Sequence, residues 1–214
     1  MALPQIIEKP QRDWLFKVTN EISQNPERDS CLLAFFLGTQ CSTLEINRIL
    51  LKDVLNKSGK LNKKFIIRGK QDYQNDDRYY YFANAKINSY IEKYLEHRVK
   101  SKICRGDNPD QFRGLDPDDY FFISYQNKGF SLIRKGDKYK CDALNRHIKT
   151  LLSQAGIESP SILSGRRTFA VNLHRQGCDV GHLMHMLGDR TVETTKKLIE
   201  TDTVDMGAIA ANAF

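Results

Sequence analysis

Residues 164–198, SGRRTFAVNLHRQGCDVGHLMHMLGDRTVETTKKL, restrict the fold more than any other stretch of the chain. Phe169, Ala170 and Leu173 recur at helical spacing, and so do Val180, Leu183, Met184 and Leu187. Gly177 and Gly188 stand where each periodic run ends, the position at which a helix stop favours a residue tolerant of left-handed backbone. The spacing predicts one helix over 164–176 with Ser164 as its cap, a second over 180–187, and a third from Thr191 to about Glu200.

The chain before this stretch has the same helical character. Pro10, followed by Trp14, Val18 and Ile22 at four-residue spacing, predicts an amphipathic helix over 10–25 that Asn25-Pro26 ends. The run CLLAFFLG at 31–38 is too short to cross a membrane and reads as a buried helix closed by Gly38. Ser42-Thr43-Leu44-Glu45 fits a capping box, with Ile46, Ile49 and Leu50 as the buried face of the helix it opens. Phe65-Ile66-Ile67 and Tyr79-Tyr80-Tyr81-Phe82 flank the polar connection GKQDYQNDDR, the pattern of a β-hairpin. Ile87, Ile91, Leu95 and Val99 predict a helix to about Lys100, with Tyr90 and Tyr94 assigned to the core rather than to base stacking. Leu144, Ile148, Leu151 and Leu152 predict another, ending at Gly156. Residues 101–119 read as a surface loop or an insertion. The expected fold class is mostly α with a small antiparallel β-sheet, in one domain spanning 1–214 with a C-terminal tail at 201–214.

Composition narrows the partners. Five cysteines (Cys31, Cys41, Cys104, Cys141, Cys178) without close pairing argue against a disulfide framework and a zinc site, and His182 and His185 lack neighbours at metal-ligand spacing. No metal or cofactor is therefore expected. With no apolar run of membrane-spanning length and no signal-peptide pattern at the N-terminus, a cytoplasmic protein is expected, nucleoid-associated if bacterial, with no membrane partner. The net charge is +7, and its distribution is uneven: KSGKLNKKFIIRGKQ at 57–71 carries Lys57, Lys60, Lys63, Lys64, Arg68 and Lys70 with no acidic residue. Such a surface suits phosphates.

These segments together resemble the tyrosine recombinase, or phage integrase, family over nearly the whole chain. LAFFLGTQCSTLEINRILLKDV resembles its first box, FIIRGKQDYQNDDRYYYF its β-hairpin, and the 164–198 stretch its second box. The resemblance implies the catalytic-domain fold of DNA breaking-rejoining enzymes, without the N-terminal core-binding domain that completes a clamp round the duplex. In that family a tyrosine attacks a DNA phosphodiester, two arginines hold the non-bridging oxygens, and a hairpin lysine and two histidine-type residues assist, which is nucleophilic catalysis with electrostatic stabilisation.

Carried across by position, Lys70 matches the lysine and Arg166 the second arginine. The first arginine falls on Ser42, the histidine before the second arginine on Leu163, the residue after Leu-Gly on Asp189 and the nucleophile on Leu198. Thr201 and Thr203 are alcohols without a paired base. The resulting expectation is a protein that is not an enzyme: an inactive recombinase-like binder of double-stranded DNA, serving as a regulator or accessory factor. Its expected DNA contacts are Lys57, Lys60, Lys63, Lys64, Arg68, Lys70, Arg166 and Arg167. A divergent active integrase and a protein-interaction module are the alternatives. The apolar residues Val204, Met206, Ile209 and Phe214 of the tail are candidates for docking on a second copy or on a partner recombinase.

Overall fold

The computed structural model describes residues 4–67, 77–136 and 138–200, without the Lys138 side chain. In order, these form α1 (Lys9–Ile22), α2 (Pro26–Gly38), α3 (Thr43–Arg48), α4 (Leu51–Val54), β1 (Lys64–Ile67), β2 (Arg78–Tyr81), α5 (Ala85–Lys100), β3 (Ile133–Lys135), β4 (Lys138–Lys140), α6 (Asp142–Gln154), α7 (Leu163–Arg175), α8 (Val180–Leu187) and α9 (Val192–Ile199). The expected class, helical with small antiparallel sheets, is what the chain adopts. Among the described residues no helix is long and apolar enough to cross a membrane.

α2 is the axis of the fold. Every residue from Arg28 to Leu37 is buried, so this helix is enclosed on all sides rather than amphipathic. It packs against α1, α5 and α7. Phe35 meets the rings of Tyr80, Phe121 and Phe122 at 5.9, 5.9 and 5.3 Å between centroids, the last edge-on, and full burial of such a side chain contributes about 2–3 kcal/mol. A second, smaller apolar cluster of Phe169, Ala170 and Leu187, with Leu173, Leu198 and Ile199 against it, joins α7, α8 and α9.

α7 touches α2 backbone to backbone. A Cβ at Gly165 would lie 2.3 Å from the Phe36 carbonyl oxygen and 2.6 Å from its ring, so glycine alone permits the approach. This contact sets the depth at which the next residue, Arg166, enters the site.

Several local expectations are corrected. α1 buries Leu15 and Thr19, while Trp14 and Ile22 are half exposed, because packing against α2 and α6 decides which face of the helix turns inward. Asn25 and Pro26 open α2: the Asn25 side chain accepts from the Arg28 N–H and Pro26 occupies the first turn, where its missing N–H costs nothing. Ser164 does not cap α7. It lies inside the first turn with its hydroxyl buried, and Ser161 accepts the Leu163 N–H instead. The short sheet β3–β4, paired Ile133 to Lys140, was not foreseen.

The hairpin β1–β2 is antiparallel with Ile67 opposite Arg78 and Lys64 opposite Tyr81. The 101–119 segment is a fixed strap: Arg113 donates to the Gly59 carbonyl at 2.6 Å and forks onto Glu92 at 2.6 and 3.1 Å. The Phe112 N–H also reaches the Lys57 carbonyl at 3.1 Å, which holds the lysine-bearing turn in place. Residues 68–76, including Arg68 and Lys70, and the 201–214 tail lie outside the described residues.

Candidate functional site

The site forms where four segments meet: the 39–45 turn, strand β2, the start of α7 and the Gly188-Asp189 turn after α8. Ser42 begins α3 with the capping box expected of it. Its hydroxyl accepts the Glu45 N–H at 3.3 Å, and the Glu45 carboxylate accepts the Ser42 N–H at 2.7 Å. The same carboxylate oxygen takes a guanidinium N–H of Arg78 at 2.8 Å, both side chains being largely buried.

Arg78 points inward because strand alternation puts it in phase with Tyr80 and out of phase with the exposed Tyr79 and Tyr81. Its Nη2 makes a long 3.5 Å contact with the Gln40 carbonyl, and its buried Nε and Nη1 have no partner. Gly188, left-handed at φ +67°, lies beside it, and a Cβ there would be 3.0 Å from Nη1.

Arg166 approaches the same carbonyl from the other side. Its Nη1 is 3.4 Å from the Gln40 oxygen, and its Nη2 donates to the Leu187 carbonyl at 2.6 Å and to Asp189 at 2.7 Å. The second oxygen of Asp189 accepts the Thr195 hydroxyl at 2.8 Å, so α9 is tied to the pair. Gln40 joins these parts to the hairpin, since its side-chain amide donates to the Tyr79 carbonyl at 2.8 Å. The buried Cys41 thiol lies within the fields of both arginines. Burial, reinforced by the Glu45 charge, pushes it up to about 12 despite the opposing fields of Arg78 and Arg166, so it remains a thiol.

The other residues singled out by the sequence scatter. Lys57, Lys60, Lys63 and Lys64 are all exposed, and Lys64 lies 3.9 Å from the centroid of the Tyr79 ring on the outer hairpin face. Arg167 is a correction to the expected contact set. It is buried, with its guanidinium donating to the carbonyls of Pro4 at 2.5 Å, Leu198 at 3.1 Å and Glu200, and these bonds leave it a structural tie. Leu163 is half exposed at the start of α7, and Leu198 packs on the small cluster of α7, α8 and α9. Among the described residues no group of three or more His, Cys, Asp and Glu side chains could hold a metal ion.

Arg78 and Gly165 were missed from sequence. The signal for Arg78 was present in DDRYYYF, where alternation places the arginine on the inward side with Tyr80 and Phe82. The close contact at Gly165 is long-range and leaves no local pattern.

Comparison with known proteins places this geometry. The sequence model of the phage integrase family matches residues 5–203. Tyrosine recombinase XerC proteins from several Staphylococcus aureus strains, among them MSSA476 and MRSA252, are 24% identical over 99% of this chain and 61% of their own length. The chain thus spans less than two thirds of the curated relatives it matches. The crystal structure of XerA recombinase superposes with a TM-score of 0.71 at 18% identity, over 99% of this chain and 66% of that one. XerH site-specific recombinase bound to palindromic difH substrate gives 0.67 at 17%, over 98% and 53%. A lambda integrase dimer bound to a COC' core site gives 0.59 at 10%, over 96% and 64%.

These matches overturn the expectation that the protein is not an enzyme. The family match runs through positions 42, 163, 189 and 198, and the named relatives are recombinases. Counting along the chain tests one backbone position at a time, whereas Glu45 receives its guanidinium from Arg78, 33 residues away on another element. By the extent of the family match and by its fold, the chain belongs to the phage integrase family.

Proposed function

We propose that this chain engages duplex DNA through its hairpin face and the start of α7, and that its reaction class is DNA strand cleavage and rejoining. The observation that carries the reading is the link made by Gln40. Its side chain holds the hairpin at Tyr79 while its carbonyl meets Arg166, so the exposed Lys63 and Lys64 are fixed relative to a partly buried guanidinium. Lysines that track a phosphate backbone and an arginine that grips one phosphate have complementary tasks. XerH recombinase is bound to palindromic difH substrate and the Tn1549 transposon integrase to transposon right end DNA, which supports DNA as the partner.

We read the chain as a single domain of integrase type. In support, Arg167 ties the N-terminal segment at Pro4 to the end of α9 at Leu198 and Glu200.

Binding to duplex DNA is measured across a salt series. With the four exposed lysines on phosphates, the log–log slope is about −3 or steeper; salt-independent binding, or none, overturns the DNA reading. Strand cleavage is tested separately with a nicked suicide duplex. A protein–DNA adduct stable to denaturant is expected, and mass spectrometry of the adduct identifies the attacking residue. Salt-dependent binding without an adduct would refute the cleavage half alone.

A further inference from the structure

We infer that Arg78 supplies, from the hairpin, a second guanidinium to the Arg166 site, so that the two arginines form one receptor for an oxyanion. The identity of that oxyanion as a DNA backbone phosphate rests on the proposal above.

Four observations converge. Position 42, where the resemblance calls for an arginine, is a serine occupied in capping α3. The guanidinium that faces Glu45 comes instead from position 78. Arg78 and Arg166 share one acceptor, the Gln40 carbonyl, at 3.5 and 3.4 Å, distances at which neither is well satisfied. Most telling, Arg78 is 92% buried, given its 8% exposure, yet Nε and Nη1 have no partner. Unanswered buried N–H groups carry the full desolvation penalty, and Nη1, beside the Gly188 turn whose neighbours Leu187 and Asp189 hold Arg166, is a free donor for an oxyanion held there.

The neighbours fit that role. Gly188 leaves the room that the guanidinium occupies, since any Cβ there would crowd Nη1 at 3.0 Å and Cζ at 3.2 Å. Asp189 already places a carboxylate on Arg166, which shows that this end of the pair accepts an oxyanion. Glu45 takes Nη2 of Arg78, the nitrogen that also contacts Gln40, and so orients the guanidinium as a positioning residue. An anion seated between the arginines replaces the long contacts to Gln40, competes with Asp189 for Arg166 and gains the free Nη1 of Arg78.

A purely structural Arg78 would serve Glu45 equally well as lysine, and this separates the two roles. Arg78→Lys keeps the charge beside Glu45 and removes the free guanidinium donors. Duplex affinity by fluorescence anisotropy is expected to fall roughly tenfold to a hundredfold, as for loss of charge-assisted hydrogen bonds, while the thermal midpoint moves little. In parallel, the arginine Nε–H signals, assigned with Arg78→Lys and Arg166→Lys, are followed by 1H–15N spectroscopy during duplex titration. Both signals moving with one midpoint is the expected result. Bound duplex with a stationary Arg78 signal overturns the inference and leaves the DNA reading standing. If no duplex binds, the DNA reading fails, and inorganic phosphate in the same spectrum decides the receptor alone: movement of the Arg78 signal upholds it and a stationary signal overturns it.

Discussion

Asp189 holds Arg166 through a 2.7 Å ion pair and, through its other oxygen, the buried Thr195 hydroxyl at 2.8 Å. One carboxylate thus fastens α7 to α9 and neutralises the arginine proposed to meet phosphate. Replacing it with an amide preserves two hydrogen-bonding positions and removes the charge. Asp189→Asn is expected to lower stability by about 1–2 kcal/mol, since Arg166 retains the Leu187 carbonyl. Duplex affinity should rise several-fold because the competing anion is gone. Urea unfolding and anisotropy read the two effects, and lower affinity in the variant would show that Asp189 assists binding.

Glu45 has two tasks on one oxygen, the cap of Ser42 and the pairing of Arg78. Two substitutions separate them. Ser42→Ala removes half the capping box and should cost about 1 kcal/mol with duplex affinity unchanged. Glu45→Gln can still cap, since glutamine serves in capping boxes, but it leaves the buried Arg78 without a counter-charge and should cost about 2–3 kcal/mol. Denaturant midpoints compare them, and equal losses would mean that the ion pair contributes nothing beyond the cap.

Gly165 is the point at which α7 rests on α2. A methyl group there meets the Phe36 carbonyl at 2.3 Å, a backbone atom that cannot rotate away. Gly165→Ala should destabilise by about 3 kcal/mol through overpacking and displace Arg166 with its helix, so affinity should fall even under conditions where the variant remains folded. An unfolding midpoint equal to the unsubstituted protein would refute the close approach.

The helices and the hairpin were legible because their signals are local. Apolar spacing, the Ser42–Glu45 box and the Gly188 stop each act within one or two turns, and the structure uses all three. The errors arise where tertiary contacts decide. Trp14 has the right spacing for a buried face, yet the core takes Leu15 and Thr19. Arg166 and Arg167 are adjacent arginines of equal sequence merit, but one turns to the site and the other to three main-chain carbonyls. The site itself was half legible: Ser42 and Arg166 were named, while the partner of Glu45 is Arg78, the last residue of the polar connection GKQDYQNDDR in the sequence and the first residue of the strand in the structure.

Asp29 gives the fold an acid-sensitive anchor at the start of α2. Burial favours its neutral form most strongly, but hydrogen bonds from His147 at 2.7 Å and Arg28 at 2.8 Å outweigh this and hold the carboxyl below its ordinary value of 3.8. A folded-state value below the unfolded one means that the unfolded chain binds more protons in this range. The stabilisation is therefore present above about pH 4 and is lost as pH falls through the lower folded value. In urea unfolding from pH 5 down to 2, Asp29→Asn should start from a lower stability and decline less steeply than the unsubstituted protein. Parallel acid limbs would assign the acid sensitivity to other groups.

The lysines offer the most direct contrast between a directed and a diffuse electrostatic attraction. Lys63 and Lys64 stand exposed at the base of the hairpin, and Lys196 and Lys197 stand exposed on α9. Exchanging either pair for glutamate changes the net charge equally, so a long-range attraction alone would weaken binding equally. A phosphate contact is local and releases counterions, and each one lost should reduce the magnitude of the log–log salt slope by about 1. Lys63→Glu with Lys64→Glu is thus expected to flatten the slope by about 2 and lower affinity at least tenfold more than the α9 pair. Because the hairpin is tied to Arg166 through Gln40, the hairpin variant should also reduce the response of the Arg166 Nε–H signal to duplex, whereas the α9 variant should leave it intact. Equal losses from the two pairs, in affinity and in slope, would place the duplex on a different face.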